Sequence, residues 1–258
     1  DIVTMNDDLT VIENGRLVIQ EKMIVAVLDS DDELPSELDL GGAKTIDSDG
    51  YIFPGLINGH NHVHYNCMPI WDAPGTYTNR YQWNSGDSYK NHVTYPNKAL
   101  KESKYYNVFG EAMKYAEVKE QVSGTTAVQN SKMQTKGYEK MMVRNIEFPN
   151  YGGPRAHATV GAVGDFDQDK ADGYISNFES GTYNAMFLHI AEGLDEKSRA
   201  EFDDLKDLGL ARKEMIVIHG AALGENELDY MGKQNMSMVW SPVSNLILYG
   251  GTADIPTA

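Results

Sequence analysis

The chain contains almost no cysteine. Cys67 is the only one among 258 residues, so no disulfide can form within the chain. Small secreted domains usually depend on several disulfides, whereas cytosolic proteins keep their thiols reduced. The composition therefore predicts a protein of a reducing, cytoplasmic compartment.

Positive charge and long apolar runs are also scarce. The sequence has 22 Lys and Arg residues against 38 Asp and Glu residues, a formal net charge of −16. A nucleic-acid-binding surface needs clustered Lys and Arg, so we expect no nucleic-acid partner. No apolar run approaches the roughly 18 residues of a membrane span, so we expect no membrane partner either.

The first fifty residues differ in their residue pattern from the rest of the chain. The segments "DIVTM", "TVIENGRLVI" and "KMIVAVLD" are rich in β-branched residues and are separated by turn-forming clusters, a pattern typical of short strands. We therefore predict a small β-domain over residues 1–50 and a larger domain over residues 51–258. The overall content of 41% hydrophobic residues is enough to form one sizeable core.

After residue 50, short apolar strands alternate with helices. The predicted strands are "IFPGLIN", "TTAVQN", "RAHATVGAV", "NAMFLHIA", "MIVIHG" and "SMVWSP". The longest predicted helix covers residues 97–124, with Tyr105, Phe109, Met113 and Ala116 on one stripe, and ends at Gly124. Shorter helices are predicted in "DEKSRAEFDDLKDLG" and "ENELDYMGK". This alternation indicates parallel strands joined by helices, in a barrel or a doubly wound sheet.

Histidines recur where the predicted strands end. In "PGLINGHNHVHYN", His60 and His62 are predicted to end the first barrel strand, where side chains two apart share a face. His189 and His219 lie at the ends of two later strands. Functional residues of parallel α/β barrels lie at these carboxyl ends, and neutral imidazole is the commonest ligand of zinc-type ions. The pattern predicts a metal site.

Glu192 lies three residues after His189. On a continuing strand it would face the opposite side, so it can join the site only if the chain bends after Ile190. Gly193 makes such a bend inexpensive. A carboxylate beside a metal-activated water can take its proton and pass it to a leaving group.

Four separated motifs carry a family resemblance: "PGLINGHNH", "HIAEGLDE", "VIHGAALGENEL" and "WSPVSNLILYG". In this order and spacing the chain resembles the metal-dependent amidohydrolase superfamily, in particular its cytosine-deaminase-like and chlorohydrolase-like branch. The resemblance implies an α/β fold, a TIM-like (β/α)8 metal-dependent hydrolase barrel, with a small β-sandwich assembled from both chain ends.

The resemblance also implies roles for individual residues. His60, His62 and His189 would be the metal ligands, Glu192 the proton shuttle, and His219 the residue that orients the water or the substrate. Neither "RAHATVGAVG" nor "YNAMFLHIAE" contains a lysine, so the carbamylated lysine of two-metal members has no candidate. We therefore expect one divalent metal ion, with zinc ahead of iron.

The activity implied is hydrolysis of a non-peptide carbon–nitrogen bond in a small, cyclic substrate, by deamination or amide hydrolysis. One alternative is displacement of chloride or another group from a ring by the same site. Another is a non-catalytic binding protein on a barrel scaffold. A non-catalytic protein that only binds a metal ion would have no need of Glu192.

One feature of the family has no counterpart in the sequence. Its fourth ligand is an aspartate at the end of the last barrel strand, and the chain stops at Ala258 before that position. Asp254 precedes the expected helix and strand, so we do not assign it as the replacement. We therefore expect a chain without the last strand. The open strand edges of such a barrel favour pairing with another chain, including a homo-oligomer.

Several other residues have both an ordinary and a functional explanation. His64 is an alternative partner of His62 in an "HVH" ligand pair, whereas His92 and His157 are expected to be ordinary packed histidines. The aromatic residues Tyr77, Tyr81 and Trp83 either roof the pocket and stack on a flat ring or only pack their loop.

Asn245 in "SPVSN" is expected to tie down a loop and not to touch the substrate.

Overall fold

The computed structural model describes residues 1–21, 23–102, 104–129, 142–147 and 155–256. The chain divides into two compact units, Asp1–Leu56 and Ile57–Ala258.

In the part of it that the structure describes, the first unit has two small antiparallel strand pairs. Its four strands are β1 (Ile2–Val3), β2 (Val11–Ile12), β3 (Arg16–Gln20) and β4 (Met23–Leu28). β1 pairs with β2, and β3 pairs with β4 in a hairpin whose register shifts between Val18 and Ile19. The prediction of short strands within the first fifty residues is confirmed.

Among its described residues, the second unit has seven strands in two sheets. The strands are β5 (Leu56–Asn58), which starts at the junction of the units, β6 (Thr125–Val128), β7 (Arg144–Asn145), β8 (Arg155–Thr159), β9 (Tyr183–Ile190), β10 (Met215–His219) and β11 (Ser237–Val239). One sheet has the order β5-β6-β7, and the other has the order β8-β9-β10-β11 with every neighbouring pair parallel. This is the α/β arrangement that the alternating pattern predicts.

Helices connect these strands. They are α1 (Asp87–Tyr89), which continues through a π-helical turn (Lys90–Thr94) into α2 (Tyr95–Lys101), and α3 (Phe109–Val122), α4 (Gln168–Glu179), α5 (Glu196–Asp207), α6 (Glu225–Lys233) and α7 (Pro242–Tyr249). Within the described ranges, no helix has both the length and the apolar character needed to cross a bilayer.

The main core lies between the four-stranded sheet and its helices. In β9, Met186, Leu188 and Ile190 alternate onto the helix-facing side, where they meet Phe202 and Leu205 of α5. The residues between them, including Phe187, face the other side of the sheet. His189 shares that second side by alternation, so the packing of β9 against α5 fixes the direction in which His189 points.

Two details of the predicted secondary structure are wrong. The predicted helix over residues 97–124 is two helices, because Glu102 leaves the helical region and Asn107 takes a left-handed φ of 52°. The strand β7 in "RNIEF" was not predicted, since two paired residues are too short to produce an alternating pattern.

Phe202→Ala is expected to lower the free energy of unfolding by about 3–5 kcal/mol. Phe202 is fully buried between α5 and the sheet, so truncation leaves a cavity that the surrounding core cannot fill. Urea unfolding followed by circular dichroism measures the change. Ile70→Ala is the control because Ile70 is 81% exposed, and an equal loss in both variants would contradict the described core.

Candidate metal centre

Three histidines meet at the carboxyl ends of β5 and β9. The ligand atoms of His60, His62 and His189 all lie within 4.8 Å of one another. β5 ends at Asn58, so His60 and His62 lie in the loop after the strand and not on it, which corrects the predicted position. Their rings nevertheless lie together, with centroids 4.9 Å apart, and the ring of His60 lies 4.7 Å from that of His189.

The surroundings keep the rings of His60 and His189 neutral. Burial lowers the pKa of His60 to about 3, with a further contribution from nearby His219, against an opposing hydrogen bond with Gln129. Burial also holds the pKa of His189 well below its usual value. Neutral imidazoles offer lone pairs and no mutual repulsion, which is the state that a metal ion requires.

The donor set fits a divalent metal ion. His189 Nδ1 is buried and has no hydrogen-bond partner among the described residues, an arrangement that costs free energy unless another group satisfies the atom. Three imidazoles within reach of one point match a catalytic zinc site, which uses three protein ligands and leaves a position for water.

A hydrogen-bonded pair lies behind His60. His60 Nδ1 lies 3.4 Å from Oε1 of Gln129, and the amide nitrogen of Gln129 donates to the buried carboxylate of Glu147 at 2.7 Å. Gln129 directly follows β6, and Glu147 follows β7. This pair contacts Nδ1 of His60, as the outer partners of metal-binding histidines do, and leaves Nε2 as the nitrogen that can bind a metal ion.

The chain turns over the end of the sheet directly after β9. Ala191 takes a left-handed φ of 55°, and its N–H donates to the buried carboxylate of Glu201 at 2.8 Å. A Cβ on Gly193 would lie 2.7 Å from Asn79 Cα, so only glycine permits this approach. The predicted bend after Ile190 is confirmed, and it brings Glu192 beside the histidines.

Glu192 is buried among polar groups. The hydroxyl of Tyr249 donates to its Oε1 at 3.0 Å, His219 Nε2 lies 3.7 Å from the same oxygen, and Arg80 Nη1 lies 3.7 Å from Oε2. Burial raises the pKa of Glu192 to about 7, although Arg80 and Tyr249 oppose the rise. A carboxyl group with this pKa can both accept and release a proton at neutral pH.

His219 reaches the site through an unusual backbone conformation. By alternation along β10 it would share the side of Met215 and Val217, which pack in the helix-facing core. Its φ of 76° leaves the β region, a conformation that costs about 1–2 kcal/mol for a residue with a Cβ. The ring lies 5.3 Å from that of His189, so the strain accompanies a position at the site.

The other ring nitrogen of His219 identifies its tautomer. Nδ1 lies 2.8 Å from the amide oxygen of Asn245, which only accepts hydrogen bonds, so Nδ1 carries the hydrogen. Burial lowers the pKa of His219 to about 4, despite the opposing hydrogen bond that His219 donates to Asn245. In the resulting neutral ring, Nε2 presents a lone pair towards Glu192.

A loop after β5 supplies the remaining wall. Arg80 is buried, and its backbone N–H donates to the carbonyl of Glu192 at 3.1 Å. The loop is fastened by Asn79, whose amide donates to Asp195 at 2.6 Å. Arg80 and Tyr249 were not predicted as site residues, because neither type forms a recognisable spacing with the histidines.

These residues enclose a cavity of about 380 Å³. Its wall includes the four histidines and Glu192 together with Trp83, Tyr65, Tyr89 and Arg80. Of the three aromatic residues predicted either to roof the pocket or to pack the loop, Trp83 lines this cavity. Tyr81 instead donates to Glu201, and Tyr77 stacks on Trp71.

The remaining histidines, His64, His92 and His157, lie outside the group of three that could share one metal ion. His64 is buried beside Tyr65 and also borders the cavity, but among the described residues the group able to share one ion contains His60, His62 and His189. His92 contacts the carbonyl of Ser88, and His157 stacks on Tyr183 with centroids 5.0 Å apart. The expectation of a packed histidine is confirmed for the half-buried His157 and is wrong for His92, which is exposed.

Several solved structures have a similar fold. A mutant atrazine chlorohydrolase from Arthrobacter aurescens TC1, complexed with zinc and atraton, matches with a TM-score of 0.63 at 14% identity, over 92% of this chain and 63% of that one. An adenosine deaminase from Xanthomonas campestris with bound zinc has a TM-score of 0.58 at 16% identity, over 93% and 60% of the two chains. A guanine deaminase from C. acetobutylicum with bound guanine has a TM-score of 0.61 at 17% identity, over 96% and 67%.

These matches are matches of fold. At 14–17% identity they show the fold alone, so the α/β fold expected from the resemblance is confirmed. The chain spans about two thirds of the length of these structures. No protein-family model and no curated protein matches the sequence.

Proposed function

We propose that the chain carries the catalytic site of a metal-dependent hydrolase that acts on non-peptide carbon–nitrogen bonds of small, cyclic molecules. The observation that supports this most is the convergence of His60, His62 and His189 on one point, with Glu192 beside them. The three structural neighbours described above act on, or bind, small ring compounds, which agrees with this class of substrate. A binding protein would not need a buried carboxyl group whose pKa lies near 7.

In this proposal His60, His62 and His189 hold one divalent ion, zinc ahead of iron. When bound, such an ion lowers the pKa of a coordinated water to about 7. Glu192 accepts the proton of the attacking water and delivers it to the leaving nitrogen, which departs as an amine or ammonia. His219 presents the lone pair of Nε2, so it accepts a hydrogen bond and orients that water.

We also propose that the observed sheets belong to two larger units, a barrel and a β-sandwich. The two sheets of the second unit are part of a (β/α)8 barrel, and residues 1–50 are part of a small β-sandwich domain. In a barrel of this kind the carboxyl ends of the strands surround one pocket. The positions of His189 and His219 at the ends of β9 and β10 support this arrangement.

Displacement of chloride from a ring is the alternative reaction at the same site. It is favoured by the fold match to a chlorohydrolase, and the same groups would activate the water. The zinc-loaded protein is therefore incubated with panels of aminopyrimidines, aminopurines, amides and chlorinated triazines. Release of ammonia supports the first reaction and release of chloride supports the second, whereas release of neither from any panel member contradicts both.

Gln129→Leu is expected to weaken zinc affinity by about 10- to 100-fold, the usual effect of losing an outer partner of a ligand histidine. The leucine removes the hydrogen-bond acceptor that orients the ring of His60. Competition with a chromophoric chelator measures the affinity. Gln168→Leu is the matched control, since Gln168 is exposed and its amide donates to Asp172 within α4. Equal zinc affinity in the wild type, Gln129→Leu and Gln168→Leu would contradict the assignment of His60 as a ligand held by Gln129.

A further inference from the structure

Helix α7 presents two buried polar side chains one turn apart. Asn245 and Tyr249 are 0% and 4% exposed, and residues four apart lie on one face of a helix. Asn245 bonds to His219 and Tyr249 bonds to Glu192. We infer that α7 positions both polar groups of the site, with Asn245 setting the tautomer and direction of His219 and Tyr249 directing the carboxylate of Glu192. The catalytic consequence of this inference rests on the proposed function, whereas the hydrogen bonds themselves do not.

The far side of Asn245 is anchored in one orientation. The indole N–H of Trp240 donates to Thr252 Oγ1 at 2.8 Å, and the amide nitrogen of Asn245 donates to the same oxygen at 3.3 Å. With its nitrogen turned to Thr252, Asn245 presents its oxygen to His219. Because that oxygen can only accept, the hydrogen of neutral His219 lies on Nδ1 and Nε2 is left to face the cavity.

The direction of the Tyr249 hydroxyl is fixed in the same way. The indole N–H of Trp83 lies 2.9 Å from the Tyr249 oxygen, and an indole N–H can only donate. The tyrosine oxygen therefore accepts from Trp83, and its own hydrogen is directed at Glu192 Oε1. Trp83 thus donates to Tyr249, and Tyr249 donates to Glu192. These two hydrogen bonds hold Oε1 of Glu192 at 3.7 Å from His219 Nε2.

The first test needs no substrate. The sequence contains three tryptophans, and in the structure Trp71, Trp83 and Trp240 donate to Ser88, Tyr249 and Thr252 respectively. In a ¹H–¹⁵N spectrum of the full chain, Tyr249→Phe is expected to shift the indole signal of Trp83 and to leave that of Trp71 in place. An unmoved Trp83 signal, assigned with Trp83→Phe, would overturn the role of Tyr249.

The second test reads the tautomer of His219 by ¹⁵N NMR of histidine-labelled protein at neutral pH, with and without added zinc. His219→Gln identifies the signals. The wild type is expected to show one tautomer with hydrogen on Nδ1, and Asn245→Asp is expected to keep it because a carboxylate also accepts. Asn245→Leu is expected to produce a mixture of tautomers. A single unchanged tautomer in Asn245→Leu would overturn the role of Asn245.

The third test separates positioning from structure. With the substrate found by the panel, Tyr249→Phe is expected to lower kcat by about 10- to 100-fold and to leave KM within about twofold, the effect of losing one hydrogen bond to a charged group. Tyr230→Phe, which removes a hydroxyl at the edge of the helix-facing core, is expected to keep wild-type kcat. An unchanged kcat in Tyr249→Phe would overturn the positioning role. A wild type that hydrolyses nothing refutes the proposed function, and the two NMR tests then decide the inference alone.

Discussion

Glu192→Gln is expected to keep the fold and the bound metal while lowering turnover by about 10²- to 10⁴-fold, the usual contribution of general acid–base catalysis. The amide has nearly the same shape and can still contact Arg80 and Tyr249, but it cannot accept and release a proton near pH 7. Steady-state release of ammonia or chloride from the substrate identified in the panel measures the loss. Zinc content is determined on the same samples.

Glu196→Gln is the matched control. Glu196 lies four residues further along the chain at the start of α5, where its carboxylate pairs with Arg199 in solvent. The same chemical change at this position is expected to leave turnover unchanged. Turnover close to wild type in Glu192→Gln would exclude Glu192 as the proton shuttle, and a lost metal in that variant would show that the carboxylate serves binding instead.

The sequence was sufficient to predict the parts of the site that depend on strand ends. His189 and His219 follow apolar segments whose length and composition identify strands, so their place at the carboxyl edge follows from the parallel topology. Glu192 was predictable because Gly193 marks the bend. In each case the information lies within a few residues of the site residue itself.

Other parts of the site depend on contacts between distant segments and have no local signal. Arg80 and Tyr249 both contact Glu192, yet they come from a loop and a helix far apart in sequence. Asn245 was expected only to fasten a loop, and it does bond to Thr252, but its second bond to His219 follows from the way α7 packs. Glu147 follows a strand of two residues, too short to be recognised from its pattern.

The backbone conformation of His219 is a case in which the alternation of side chains along a strand predicts the wrong position. Alternation along β10 correctly places Met215 and Val217 towards the helices, and the same rule would place His219 with them. The structure departs from the rule at this residue through a left-handed φ. Local strain of this kind is retained where the surrounding contacts determine the position, as they do here through Asn245.

His189→Asn is expected to have the largest effect on metal binding. His189 is the one ligand candidate held on a strand of the main core, and its Nδ1 has no hydrogen-bond partner among the described residues. Asparagine preserves a polar side chain of smaller size but removes the imidazole ligand. We expect the zinc content after dialysis to fall from about one ion per chain to below about one tenth, with loss of turnover.

Metal-linked stability provides an independent measurement of the same change. An ion that binds only the folded chain stabilises it by about 2.7 kcal/mol at a concentration 100 times its dissociation constant, so zinc is expected to raise the Tm of the wild type and not that of His189→Asn. His157→Asn is the control because His157 lies on the neighbouring strand β8 and stacks on Tyr183. Removal of a true ligand from a three-histidine site cannot leave both the zinc stoichiometry and the zinc-dependent rise in Tm unchanged. If His189→Asn binds zinc and gains stability as His157→Asn does, His189 is therefore not a ligand and the ion is held elsewhere.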